Sequence, residues 1–289
     1  MPACRFAVAI AWVLACGPGL AQWSLDADLA LRHDNNLANA NLPVDIVEDD
    51  IVAATLTASH FNPTERGVSV LWQGHVAGER HAKTRGLDNV AAGGTVTARQ
   101  KWGLGAFAPW GSVSWSSSRA AYAVSTRNGW RHRAAVGLGK RVHERLDLST
   151  SLAYEARTAR ALPERRPGIS GDVFSQRART LGLDVGYAID SKLVLNAAGR
   201  IRRGDVVSTT RPNRTIFNAS SAIAADEVFG PDTIAYRLSG TTYGLELDVG
   251  YTLSSRSQLS AGVQRYLTHT GSGNNYAKNL YALTWTSNF

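Results

Sequence analysis

The chain has 289 residues and a formal charge of +8, and it contains 27 glycines but only 2 cysteines and 1 methionine. No apolar run approaches the roughly 18 residues that a membrane-spanning helix requires, so the sequence excludes a helical membrane protein. The length permits either two soluble domains or one large all-β domain.

Residues 1–21 have the three parts of a secretory signal peptide. Arg5 supplies the positive start, residues 6–15 form the apolar segment, and residues 19–21 form a small-x-small cleavage site. The sequence therefore predicts a signal peptide over 1–21 and one exported domain over 22–289.

Export changes the interpretation of the cysteines and the net charge. Cys4 and Cys16 both precede the predicted cleavage site, so the mature chain would contain no disulfide. Cys16 could instead be the lipidated residue of a lipoprotein signal, and this alternative stays open. Removal of Arg5 lowers the formal charge from +8 to +7. On an exported protein, a positive balance favours a lumen, loop surfaces or anionic lipid rather than nucleic acid.

From Trp23 onward, apolar and polar residues alternate in segments that are separated by turn residues. The first segment places Leu25 and Leu29 on one face and Asp26 and Asp28 on the other. Each segment has about the 9 to 11 residues that a tilted strand needs to cross a bilayer. The predicted strands cover 23–34, 51–61, 67–78, 90–102, 104–116, 129–142, 146–157, 178–189, 193–203, 240–253, 258–269 and 277–289.

The junctions between these strands alternate between short and long. Short turns are predicted at 62–66, 103, 143–145, 190–192 and 254–257, whereas the junctions between them are long or polar. Short turns on one side, long loops on the other and an even strand number are typical of outer-membrane barrels. The sequence thus predicts an all-β fold, a transmembrane antiparallel up-and-down β-barrel of 12 strands with both termini in the periplasm.

Two stretches complicate this pattern. Pro109 lies within the fifth predicted strand, where it requires a bulge or an unpaired position. The longest junction, 204–239, predicts one or two helical turns over 222–229, capped by Ser220 or Ser221. We expect this junction to lie either as a cap over the mouth or as a plug in the lumen.

The final strand ends on an aromatic residue. Tyr281, Leu283, Trp285 and Phe289 share its apolar face. This arrangement resembles the C-terminal assembly signal of the bacterial outer-membrane β-barrel superfamily. The resemblance implies an outer-membrane location, contact with outer-membrane lipid and lipopolysaccharide, and delivery by periplasmic chaperones and the barrel assembly machinery. Residues 34–36 are loosely similar to the barrels of surface lipoprotein assembly modifiers, but that similarity covers only a few positions.

Charged residues on the second face of each strand are predicted to point into the lumen, because a Lys or Arg facing lipid costs about 2–4 kcal/mol at the midplane. The predicted basic mouth comprises Arg32, Arg131, Arg133, Arg157, Arg200, Arg202 and Lys278. The predicted acidic residues, at mid-height or below, are Asp26, Asp28, Asp184, Glu246 and Asp248. These charges could attract anionic solutes or form interior salt bridges. The low position of Arg99 and Lys101 in the fourth predicted strand favours interior salt bridges.

The sequence shows no motif for catalysis or for a cofactor. Its seven histidines are dispersed without the spacing of a metal site, and the acidic stretch near Asp34 and Asp45 lacks the spacing of a calcium loop. We predict no metal, no cofactor, no enzyme activity and no nucleic-acid partner. The favoured function is a passive channel or porin for small solutes, with a preference for anions left open. The alternatives are a closed barrel for structure, binding or adhesion and, less favoured, a rim enzyme that acts on lipid.

Overall fold

A computed structural model describes residues 23–63, 67–271 and 273–289. The predicted signal peptide and the alternative at Cys16 lie outside these residues and stay predictions. Within the described ranges, no helix has both the length and the apolar character needed to cross a membrane.

Twelve strands form a closed antiparallel barrel, which confirms the predicted fold class. The wall strands are β1 (Trp23–Asp34), β2 (Asp49–Pro63), β3 (Val68–His81), β4 (Asn89–Lys101), β5 (Trp110–Tyr122), β6 (Gly129–His143), β7 (Leu146–Ala159), β10 (Gln176–Ala188), β11 (Leu193–Thr210), β13 (Ile234–Ser254), β14 (Ser257–Thr270) and β15 (Tyr276–Asn288). The loop elements are β8 (Leu162–Arg166), β9 (Ile169–Gly171), α1 (Arg214–Ala219) and β12 (Ala222–Ala225). Single 3-10 turns lie at Pro43–Asp45, Arg85–Leu87, Ser125–Arg127 and Glu227–Phe229.

The last strand closes the barrel against the first. β15 pairs with β1 from Asn288 opposite Asp26 to Leu280 opposite Asp34, and the Phe289 N–H donates to the Leu25 carbonyl at 2.9 Å. An open edge in hydrocarbon would leave unpaired N–H and C=O groups that cost several kcal/mol each. The closure satisfies them. Recognition of this strand by the assembly machinery stays a prediction.

The outer face of the wall is a belt of large, exposed apolar side chains. Leu283 on β15 is 45% exposed and Val113 on β5 is 62% exposed. The belt also includes Leu29, Leu31, Trp115, Val136, Leu152, Leu181, Leu245, Tyr281 and Trp285. So much exposed apolar surface is unfavourable in water but matches a lipid environment.

The fifth strand begins and ends later than predicted. β5 begins at Trp110 rather than at residue 104, because residues 102–109 form the turn. Gly103 and Gly105 adopt φ angles of 107° and 84°, in the region that favours glycine. The Trp102 N–H donates to the Pro109 carbonyl at 2.9 Å, across this turn. The prediction of a one-residue turn at Gly103 was therefore wrong, and Pro109 lies outside the strand.

The longest junction also differs from its prediction. β11 and β13 continue beyond the predicted strand ends, and α1 begins after Asn213, whose side chain accepts the N–H groups of Thr215 and Ile216 at 3.0 and 3.2 Å. Residues 222–225, predicted as helical, form β12 because pairing with β13 satisfies their backbone and buries Ile223. The predicted helical turns over 222–229 were therefore wrong for residues 222–225, and only the 3-10 turn at Glu227–Phe229 lies within the predicted range.

The hydrophobic core lies in a cap at the long-loop end of the barrel, which we define as residues 160–175 and 205–239. One buried cluster comprises Val173, Phe174, Ala222, Ala224 and Ala235. A second comprises Val206, Ile216, Ile223, Tyr236 and Leu238. The cap reaches the loop after β1, where the Thr209 N–H donates to the Ala38 carbonyl at 2.9 Å. It therefore lies over the mouth of the barrel.

The two faces of β15 should respond differently to charge. Leu283→Lys places an ammonium on the lipid face and should lower the free energy of unfolding in lipid vesicles by about 2–4 kcal/mol. Thr284→Lys, whose side chain faces the lumen, should change it by much less. Urea titration, followed by the electrophoretic mobility shift of the folded barrel, measures both. Equal destabilisation by the two variants would contradict the assigned faces.

Candidate functional site

A cavity of about 630 Å³ lies between the inner wall and the cap. Arg133 on β6 and Glu246 on β13 line it from the wall. Ala38, Thr209 and Phe229 line it from the loops above. The cap thus covers this polar cavity, which we call the outer cavity.

Most of the predicted basic residues border the outer cavity. The structure places Arg131, Arg133, Arg157, Arg200, Arg202 and Lys278 along it. Ion pairs join Arg32 to Glu79 at 3.0 Å, Arg131 to Glu155 at 2.6 Å, Lys278 to Asp34 at 2.6 Å, and Arg200 to Asp184. Interior pairing therefore accounts for part of the predicted charge, but not for all of it.

Four arginines surround one carboxylate on the wall formed by β6, β7, β10 and β11. Arg131 is opposite Arg157 in the strand register, and Arg133 is opposite Glu155. Arg202 interacts electrostatically with both Glu155 and Arg131. Among the described residues, no carboxylate forms an ion pair with Arg133, Arg157 or Arg202. We call these four arginines the arginine cluster, and it carries more positive charge than Glu155 can neutralise.

Backbone carbonyls orient two members of the arginine cluster. Arg157 donates from Nη2 to the Arg127 carbonyl at 2.9 Å and lies 5.4 Å from the centre of the Tyr122 ring. Arg202 donates from Nη1 to the Asp205 carbonyl at 2.8 Å. Because a carbonyl carries no full negative charge, both guanidinium groups are held in place without being neutralised.

A buried ion pair fastens the cap to the loop between β5 and β6. Arg127 Nη2 lies 2.5 Å from Asp226 Oδ2, and Asp226 is 2% exposed. The Thr209 hydroxyl donates to the same carboxylate at 2.7 Å, and the guanidinium lies 4.1 Å from the centre of the Phe174 ring. Burial lowers the pKa of Arg127, and the Asp226 carboxylate opposes that shift. We call the Arg127–Asp226 pair the latch.

The predicted acidic residues have polar partners on the inner wall. Hydrogen bonds join Asn288 to Asp26 at 2.6 Å, Thr286 to Asp28 at 2.6 Å, Tyr266 to Glu246 at 3.0 Å and Asn196 to Asp248 at 3.4 Å, while Asp184 pairs with Arg200. Only Glu246 among the five borders the outer cavity.

A second cavity, of about 600 Å³, lies at the short-turn end of the barrel and is also basic. It is bordered by Arg99, Lys101 and Arg141, of which Arg141 pairs with Asp147 at 3.0 Å. Arg99 lies over the Trp110 ring, 4.0 Å from its centre. Neither Arg99 nor Lys101 forms an ion pair with a described carboxylate, so the prediction that they favour pairing was wrong. The lumen therefore does not change from basic at the mouth to uniformly acidic below, as predicted, because its lower end also carries basic residues.

The site also contains residues that the sequence analysis did not single out. Strand alternation could have placed Glu79 and Glu155 on the inner face, since both follow the parity of neighbouring lumen residues. No local signal marks the latch, because Arg127 and Asp226 are 99 positions apart in irregular loops. In the described ranges, no group of three or more His, Cys, Asp or Glu side chains could hold a metal ion.

Comparison with solved structures agrees with the fold. An outer-membrane channel from Pseudomonas putida F1 has a TM-score of 0.57 and 12% sequence identity, over 95% of this chain and 100% of that chain. The translocator domain of the autotransporter NalP from Neisseria meningitidis has a TM-score of 0.45 and 12% identity, over 97% and 92% of the two chains. The KdgM porin, in complex with disordered oligogalacturonate, has a TM-score of 0.42 and 9% identity, over 92% and 99%.

The last two similarities are too weak to carry an argument. No family model matches the chain. No curated protein matches it either. The closed wall and the lipid-facing belt define a transmembrane β-barrel, and the Pseudomonas channel has the same fold.

Breaking the latch should loosen the cap and leave the wall intact. Asp226→Ala leaves the Arg127 guanidinium buried without its counter-charge, a change that typically costs about 3–5 kcal/mol. Amide hydrogen exchange over residues 206–238 should accelerate by at least about tenfold, while exchange in β15 stays unchanged.

The matched control is Glu48→Ala. Its ion pair with Lys83 is exposed at both ends, at 61% and 58%, and such pairs contribute about 0–1 kcal/mol. Exchange rates in the cap that are the same in both variants would show that the latch does not hold the cap.

Proposed function

We propose that this protein is a passive outer-membrane channel for small solutes and that its inner wall favours anions. The observation that carries the proposal is the arginine cluster, where Arg131, Arg133, Arg157 and Arg202 surround the single carboxylate of Glu155. A cavity with surplus positive charge and low-dielectric walls raises the local concentration of anions.

The middle of the lumen supports passage because its walls carry small side chains. On β5, Ser112, Ser114 and Ser116 face inward and are partly exposed. The large, fully buried apolar side chains lie in the cap, such as Phe174 and Tyr236. A barrel filled by its own side chains would bury its inward positions, so this pattern favours an open interior.

The two basic regions are joined by a row of small residues on the inner wall. Between Arg99 at the periplasmic end and Arg200 beside the outer cavity, the strand register passes through Ser112, Gly137, Ser151 and Gly182. Several weak sites along a passage allow an ion to enter and to leave, whereas one tight site would retain it. Arg99 would therefore extend the anion path that begins at the arginine cluster.

A second candidate is a non-conducting barrel that binds a partner through its cap. It is favoured by the two buried clusters beneath the extracellular surface, which give that surface a fixed shape. Neither candidate involves catalysis, and conductance separates them.

The charge of the outer cavity should set ion selectivity. In planar bilayers under a KCl gradient, we expect unitary conductance and a reversal potential that shows preference for chloride. Arg133→Glu with Arg202→Glu should abolish or reverse that preference, whereas Glu155→Gln should strengthen it. The control is Lys192→Glu with Arg256→Glu, which makes the same charge change at exposed periplasmic turns.

The possible outcomes separate the two parts of the proposal. Absence of unitary conductance at every salt concentration would reject the channel and favour the binding barrel. Conductance with the same reversal potential in the wild type and in the Arg133→Glu, Arg202→Glu variant would reject anion preference alone.

A further inference from the structure

Three arginines lie on the outer face of the barrel at the extracellular edge of the apolar belt. Arg177 and Arg179 on β10 and Arg203 on β11 are exposed, and Arg179 is directly opposite Arg203 in the antiparallel register. The next outward residues toward the periplasm, Leu181 and Ile201, are also opposite each other and are 52% and 47% exposed. The guanidinium groups therefore lie where the hydrocarbon layer meets the lipid headgroups.

Aromatic residues mark the same height on the neighbouring strands. Tyr154 on β7 is opposite Arg179, and Tyr243 on β13 is opposite Ile201. Both rings are exposed on the outer face. Tyrosines on barrel exteriors concentrate at the headgroup layer, so these positions support the assigned height of the arginines.

The positive charge of these arginines is not balanced within the protein. Among the described residues, no carboxylate forms an ion pair with their side chains. Asp205 comes close to this region, and its carboxylate accepts a hydrogen bond from the backbone N–H of Arg177 at 2.8 Å. Its single negative charge offsets at most one of the three positive charges. Like charges directly opposite each other on neighbouring strands destabilise a sheet. An anion from outside the chain would relieve this repulsion.

The geometry points to a phosphate group as that anion. Side chains opposite each other on one face of an antiparallel pair have Cβ atoms about 4.5–5.5 Å apart, so the Arg179 and Arg203 guanidinium groups can bind the oxygens of one phosphate together. The planar fork of each guanidinium suits phosphate in a bidentate arrangement. Arg177, two residues from Arg179 on the same face, can reach a second oxygen or a second phosphate.

We propose that Arg179 and Arg203, assisted by Arg177, form a binding site for the phosphorylated headgroup of lipopolysaccharide. Because the cap and the long loops are extracellular, this end of β10 and β11 faces the outer leaflet, in which lipopolysaccharide is the phosphate-bearing lipid. This site is separate from the lumen and does not depend on the proposed channel function.

The test is a titration of the purified, folded barrel in zwitterionic detergent with bis-phosphorylated lipid A, followed by native mass spectrometry. Arg179→Gln with Arg203→Gln should weaken binding by roughly 100-fold, or about tenfold for each guanidinium–phosphate interaction that is removed. Lys192→Gln with Arg256→Gln, which removes two exposed cations at the periplasmic turns, should bind like the wild type. If the double variant does not fold, Arg203→Gln alone should still weaken binding by about tenfold.

Two further ligands identify the source of the phosphate. Dephosphorylated lipid A should bind the wild type weakly. Its affinity for the wild type should be no higher than the affinity of intact lipid A for the Arg179→Gln, Arg203→Gln variant. Unchanged affinity in that variant, or equal affinity of the wild type for dephosphorylated lipid A, would overturn the site. Equal competition by phosphatidylglycerol vesicles would overturn the assignment to lipopolysaccharide, because any anionic lipid would then suffice.

Discussion

The structure depends on closure of one hydrogen-bonded ladder in a medium that cannot hydrogen-bond. Hydrocarbon offers no partner for a backbone N–H or C=O, so every wall strand needs two neighbours, and β15 must pair with β1. Closure then gives each strand one face toward lipid and one toward the lumen. Charges such as Arg200 and Asp184 are confined to the inner face, which is why the barrel has an interior rich in ionic groups.

The wall and the cap are stabilised by different physical effects. The wall is held by its continuous backbone ladder, and its outer apolar surface is covered by lipid rather than by protein. The cap is organised as a soluble domain would be, because water surrounds it: Val206, Tyr236 and Leu238, on extensions of wall strands, are buried together. The latch joins this second unit to the loop between β5 and β6.

Strand alternation lets neighbouring residues carry out unrelated tasks. On β11, Arg202 points to the outer cavity, where it and the other arginines of the cluster lie around the Glu155 carboxylate. Arg203, the next residue, points outward beside Arg179 at the headgroup layer. One arginine would therefore act on solutes and the other on lipid, although both lie at similar heights. The net positive charge of the chain is accordingly divided between the inside and the outside of the barrel.

The sequence by itself determined the barrel, its strand number and most strand positions, with β1 beginning and ending where predicted. It also placed Arg133 and Arg202 on the inner face. These features follow from a period of two residues, which is local and is imposed on every strand by lipid on one side. Only the tertiary structure decided which inner charges are paired, where β12 forms and how the latch closes. Those contacts join residues far apart in the chain, and their stability depends on burial by partners that no local pattern reveals.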